Sequence, residues 1–438
     1  MRISESTLAT ATDEDRLSLM TVVAEGTDRV EARNTTLDVY KLTASNGSAP
    51  TDDGDSGNAQ ATYVQAVLLF GEDLTAADSY VNVAESTLEG RTQLIGAQLE
   101  GGSVLKASDT QVTVSDTTFT GETMLYGVSA VSEAEATVSD TLLNLSDVTL
   151  SDKAIYLGGA SLKGETLSVR NTIVNATNVT MTESDEVVVK RLCGVEATVL
   201  AGGTFSSSNT AVSVSDSTFN DDYVAGGFVL LADAGQVEIN DQTVVVSRSK
   251  VDAVYGTRLE GDGDVRAQIN NQTIRLEDAT VNEGVYAVDF GRGEAPENIA
   301  VKLTNSRLEL SGTNTVGSIS GFDTIGLNVT EANKEKAVLT VTDADAGQME
   351  FNGVTIEIAS DDFLESSDTY QLINVERSKY TFTGLTVKES HTFLETTYTA
   401  EDDVVLDADH ALTSENDLFN NKTVKATESS KTLAESLL

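Results

Sequence analysis

The sequence predicts an all-β chain built as a parallel β-solenoid, with short strands stacked coil upon coil. Three observations predict it. Apolar and polar residues alternate over short segments, the segments recur about every thirty residues, and helix-forming runs are almost absent.

The repeating unit opens on strict alternation. In VTVSDTTFTGETMLYG (residues 112–127), Val112 and Val114 face one way while Thr113 and Ser115 face the other. The pairs Val212/Val214, Leu167/Val169 and Ile274/Leu276 repeat this pattern. A polar turn follows, as in Ser115-Asp116-Thr117, Asn171-Thr172 and Asn305-Ser306. An apolar anchor and a second short strand come next, often ending in Tyr and Gly. Gly at that point is expected to supply the positive φ of a sharp corner.

The second anchor serves as a ruler. Ile95, Tyr126, Tyr156, Leu192, Ala225, Tyr255 and Tyr286 are spaced by 31, 30, 36, 33, 30 and 31 residues. Sandwiches and immunoglobulin-like arrays would instead place turn signals every 8–12 residues or so. Pro removes a ladder donor, and both prolines, Pro50 and Pro296, fall in candidate inserted loops.

The repeat region spans residues 1–340. Residues 341–411 read as a terminal β-helix and capping section, with a hairpin-like TYQLINVE at 369–376. Residues 412–438 read as a linker. Within it Ser430 caps a short helix that places Leu433, Leu437 and Leu438 on one stripe.

The charge is extreme. Against 70 Asp+Glu stand 28 Lys+Arg, a formal net charge of -42. Such a polyanion is repelled by nucleic-acid phosphates and by anionic lipid. Hydrophobic residues at 39%, patterned rather than scattered, argue against disorder. Cys193 is the single cysteine; amid VVVKRLCGVE it reads as a small core residue. No segment is apolar enough to span a bilayer, and no signal peptide is visible. An exported protein of this kind is expected to be a piece of a longer precursor.

Three chemistries bear on these residues. Gly54-Asp55-Ser56-Gly57 resembles a serine-protease nucleophile segment, but His391 and His410 lie far downstream of it, where that family places its His upstream. Acidic clusters read as solvated loops; Asp262, Asp264, Asp343 and Asp345 are the candidate Ca²⁺ ligands. A β-helical polysaccharide lyase or hydrolase needs paired carboxylates, or Ca²⁺ with a basic residue, on one groove and usually aromatic platforms; Trp is absent and basic residues are sparse and spread out. Tyr126, Tyr156, Tyr255 and Tyr286 are read as core or ladder residues rather than a binding stripe.

Taken together, the Val-Tyr endings VDAVYG (251–256) and NEGVYA (282–287), DTYQLINVE (368–376) and TVKATESSKTLAESLL (423–438) resemble bacterial autotransporters of type V secretion. The likeness implies a right-handed β-helix passenger, followed in the full-length protein by its own C-terminal β-barrel. It implies a place on the outer-membrane surface or outside the cell, and adhesin-like contact with proteins or glycans of host or neighbouring cells. The expected function is therefore a non-enzymatic surface passenger without a cofactor, an adhesin or a structural rod presenting its loops, with the polysaccharide-active enzyme as the alternative.

Overall fold

The computed structural model describes residues 1–9, 17–45, 61–151, 154–182, 190–220, 222–261, 263–290, 299–342, 348–359, 369–377, 379–391, 394–400, 403–406, 412–413 and 423–426. Nearly all of these lie in strands stacked in parallel register, the β-solenoid that the alternation predicts. The contacts group the residues into two compact units. One comprises Met1–Val244, Tyr255–Asn270 and Val288–Lys302; the other comprises Val245–Val254, Asn271–Ala287 and Leu303–Leu438.

In the first unit each coil sets the next by a column of buried apolar side chains. Val81 stands over Val112, Val112 over Leu143, Leu143 over Val174 and Val174 over Val212, all 0% exposed. A one-residue slip would turn this whole column outward, so burial fixes the register.

The corners are made by acidic residues and their amides, in pairs seven residues apart. Asp109 and Asp116, Asp140 and Asp147, Asn171 and Asn178, and Asn209 and Asp216 all have φ between 47° and 57°. Asn and Asp tolerate this left-handed conformation better than other side-chain-bearing residues. Their side chains also bond from coil to coil. Asn171 Nδ2 donates to Asp140 Oδ1 at 2.8 Å, and Asn209 Nδ2 to Asn171 Oδ1 at 3.0 Å.

The glycines near the unit ends work differently from the sequence expectation. Gly96, Gly127, Gly159 and Gly194 do not have positive φ. A Cβ on them would lie 2.4, 2.2, 2.1 and 2.3 Å from the Cγ2 atoms of Thr110, Thr141, Thr172 and Thr210. These threonines point inward just after a corner and are at most 1% exposed. Each glycine is a socket for the methyl of the opposite wall.

The ruler also needs correcting. Ile95 does stand over Tyr126, but Tyr126 stands over Gly158, and Gly158 over Cys193, which stands over Ala225. Tyr156 and Leu192 therefore belong to neighbouring columns. Coils of unequal length shifted the apparent anchor by one or two residues.

In the second unit, parallel stacking continues past residue 340, although the sequence repeat fades there. Leu308 stands over Ile325, Ile325 over Ile356 and Ile356 over Val387. The hairpin-like segment is one strand, Gln371–Val375, paired in parallel with Leu339–Val341 and antiparallel with Leu412–Thr413. Antiparallel strands close the stack. Leu394–Thr399 covers Thr386–His391 and is itself paired with Thr423–Ala426, where the sequence suggested a linker. Beside them Gln348–Asn352, Lys379–Thr383 and Val404–Leu406 form a small sheet, with Phe351 and Phe382 stacked at 5.0 Å between ring centres. Residues 430–438, assigned to a terminal helix, lie outside the described residues.

Candidate ligand-binding face

The column Ile95, Tyr126, Gly158, Cys193 and Ala225 lies where two strands of each coil meet at a bend. It turns away from the apolar interior, yet these residues are almost fully covered. The covering comes from the side chains on either side of the bend. Tyr156 and Arg191 approach from one side, Glu196, Phe228 and Arg258 from the other.

Two arginines organise this face of the first unit. The Arg191 guanidinium lies over the Tyr156 ring at 4.8 Å and the Phe228 ring at 4.6 Å, and pairs with Glu196. Arg258 lies over Tyr223 at 5.0 Å and Tyr255 at 5.5 Å. Its Nε donates to Glu260 at 2.7 Å, and Asp289 is 3.5 Å away. The planar guanidinium suits such sandwiching between ring and carboxylate. Burial works against the charge of Arg191, and the Glu196 carboxylate together with the surrounding Cys193, Tyr223 and Tyr126 more than offsets it.

The tyrosines are part of the same network. Tyr126 Oη donates to Glu196 Oε2 at 2.8 Å, reaching two coils along. The reach passes over Gly158, where a Cβ would sit 2.9 Å from the Tyr126 ring. Burial, then the nearby Glu196 charge, pushes the Tyr126 phenol well above its usual range. Tyr223 and Tyr255 pack at 5.2 Å with planes 57° apart, and burial pushes the Tyr223 phenol up as well. Tyr126 and Tyr255 are buried, as ladder residues should be, while Tyr156 is half-exposed and presents its ring laterally.

Cys193 lies beneath this cluster at 1% exposure, and burial pushes its thiol up to about 12. A thiol held neutral and covered is a poor nucleophile. At the other end of the face, fully buried Gln65 donates to Gln98, which donates to Glu100. The sequence marked the tyrosines but not the arginines or Glu196. Their signal was the aromatic–basic–acidic mixture around each bend, which becomes visible only when the coils are set in register.

The sequence candidates for chemistry do not gather here. Of the Ca²⁺ candidates, Asp264 is exposed in a turn where its carbonyl accepts from the Gly235 amide at 3.1 Å. Asp262, Asp343 and Asp345 lie outside the described residues, as do residues 54–57, His410, Pro50 and Pro296. His391 ends the strand Thr386–His391 in the second unit. Among the described residues no group of three or more His, Cys, Asp or Glu is placed to hold a metal ion, and no helix is long and apolar enough to cross a membrane. No protein family, characterised protein or solved structure matches the chain, so the reading of this face rests on its residues alone.

Proposed function

We propose that the chain is a non-enzymatic passenger of type V secretion, displayed at the bacterial outer-membrane surface or released from it. There it contacts proteins or glycans of host or neighbouring cells. The observation that carries this reading is the aromatic–arginine face of the first unit. Tyr156, Arg191, Tyr223 and Arg258 are half-buried there, held in fixed geometry by rings and carboxylates. Rigid aromatic and arginine side chains are the residue types that dominate binding energy at protein surfaces. The motifs at 251–256, 282–287, 368–376 and 423–438 support the secretion route by resemblance.

The test is display of the chain on the barrel of an autotransporter, scored by protease shaving and by adhesion to cultured cells. The passenger should reach the surface. Tyr156→Ala and Arg258→Gln should each lower adhesion about thirtyfold, the cost at which a residue counts as a hot spot. A chain that stays inside, or adhesion indifferent to both substitutions, would sink the reading.

The alternative of a polysaccharide-active enzyme draws on the acidic and basic residues of the same face. Here, however, Glu196 accepts from Arg191 and Tyr126, while Glu260 and Asp289 face Arg258. These carboxylates serve the packing of the face. Two-carboxylate glycoside cleavage instead sets a proton-bearing carboxyl against a second carboxylate across the scissile bond. Release of reducing ends from a polysaccharide panel would overturn the non-enzymatic assignment.

A further inference from the structure

A polar groove of about 460 Å³ opens on the second unit. Its volume falls within the range of roughly 300–1,000 Å³ typical of small-molecule sites. Its floor is a column on three stacked strands, Thr315 over Thr340 over Asn374. Glu335 stands on one rim; Gln371 opens the strand that carries Asn374, and Glu376 follows it.

Both walls are fixed by buried amides. The rim with Glu335 follows a short 3₁₀ turn, Glu331–Lys334. Asn333 in that turn is 0% exposed and uses its full hydrogen-bonding capacity. Its Nδ2 donates to the carbonyls of Gly312 at 2.9 Å and Lys336 at 3.1 Å, while its Oδ1 accepts from the Thr330 amide at 2.8 Å and hydroxyl at 3.0 Å. Asn314, 1% exposed, ties the groove's near end to the Ser311 and Val338 carbonyls at 2.9 and 3.1 Å. The cavity is thus formed before any ligand arrives.

The lining side chains are the opposite of these anchors. Those of Thr315, Thr340, Gln371, Asn374, Glu335 and Glu376 line the groove and make no hydrogen bond or ion pair among the described residues. Elsewhere in the unit a stacked amide bonds to its neighbour, as Asn305 does to Asn271 at 3.0 Å.

We propose that this groove binds a neutral oligosaccharide. Hydroxyls and carboxamides both donate and accept, as sugar hydroxyls do, and the two carboxylates accept from vicinal hydroxyls. The net charge of -42 disfavours an anionic ligand, and Lys336 in the lining opposes a run of cationic side chains. The proposal rests on the reading of the protein as a non-enzymatic binding surface, and adds a second site to the aromatic–arginine face.

The experiment is retention of the purified chain on an array of glucose-, mannose-, galactose- and N-acetylglucosamine-based neutral oligosaccharides, with heparin and poly-lysine as further probes. At least one neutral glycan should retain the chain. Asn374→Ala and Thr340→Val should each weaken retention about tenfold, while Ile173→Thr, at an exposed side chain of the first unit, leaves it unchanged. Thr315→Val, at an exposed side chain, takes the place of any variant whose circular dichroism departs from the parent's. The proposal is overturned if no neutral glycan is retained, if the groove variants bind as the parent does, or if only heparin or poly-lysine binds. Retention accompanied by reducing-end release keeps the groove and removes the non-enzymatic reading. Cell adhesion without glycan retention does the reverse.

Discussion

The coils up to Ser311 and the section after it solve the same corner problem with different residues. Through Asn305, corner after corner places an Asn or Asp at positive φ; Lys41, Glu85 and Arg248 and the glycines Gly71, Gly90, Gly121 and Gly202 are the exceptions. From Gly312 onward, positive φ among the described residues falls only on Gly312, Gly321, Gly353 and Gly384. The difference follows from what lies alongside. An Asx corner in the earlier coils bonds to the Asx corner of the coil beneath it, which offsets the left-handed conformation. In the terminal section the coils change length: Leu308 to Ile325 is an offset of 17, whereas Ile325 to Ile356 is 31. Corners there fall to glycine, which reaches positive φ without a bond from its own side chain. Gly353 and Gly384 face open space, so they serve conformation; Gly159 faces Thr172, so it serves room.

The largest expected effect tests whether the terminal section has its own core. Phe382 is 1% exposed and stacked on Phe351, so Phe382→Ala should cost about 3–5 kcal/mol in urea unfolding. A cost below about 1 kcal/mol would mean that the small sheet contributes little.

Next comes the socket. Gly159→Ala should destabilise by about 1–3 kcal/mol through overpacking against Thr172, and Thr172→Ser should recover part of that loss by removing the methyl. Additive effects in the double variant would refute the interlock.

The corners themselves come third. Asn171→Ala loses two ladder bonds and keeps a φ of 54°, so about 1–2 kcal/mol is expected. Gly384→Ala, at a φ of 63° with no steric contact, should cost about 1 kcal/mol. Equal costs would erase the distinction drawn here.

The smallest effect is a pH dependence. Burial alone would raise the Glu357 carboxyl, but the Arg307 hydrogen bond and charge, aided by Lys388, hold it below the usual carboxylate range. A lowered folded value means that this stabilisation is present above the unfolded value, near 4.5, and is lost as pH falls through the folded one. Arg307→Met should flatten the fall in the urea midpoint below pH 4.5. An unchanged slope would show the pair to be energetically silent.

Much of the fold was legible because alternation is a local property. Val112, Val114, Val212 and Val214 could be assigned inward from their own segments, and all are 0% exposed. Register was harder, since Tyr156 and Gly158 sit two residues apart and only hydrogen bonding to Tyr126 or Met124 distinguishes their columns. The steadier signal was the Asx pair seven residues apart, which the polar turns at Asp116 and Asn171 exposed one corner at a time. The aromatic–arginine face and the polar groove were beyond local reading. Tyr126 meets Glu196 seventy residues on, and Thr313 and Glu376 line one groove from distant coils.

The constancy of the seven-residue corner segment has a consequence for how this surface can vary. Between the strands Ile155–Met181 and Lys190–Ser215 the register offset is 35 residues at Ile155 and Lys190, but 38 at Thr166 and Thr204. The extra residues enter between Val199 and Thr204, and the Asx pairs on both coils keep their spacing. Length is therefore absorbed away from the corners, and a substitution or insertion there leaves the stacking code untouched. A lineage carrying this chain would be free to rewrite its loops while inheriting the scaffold unchanged.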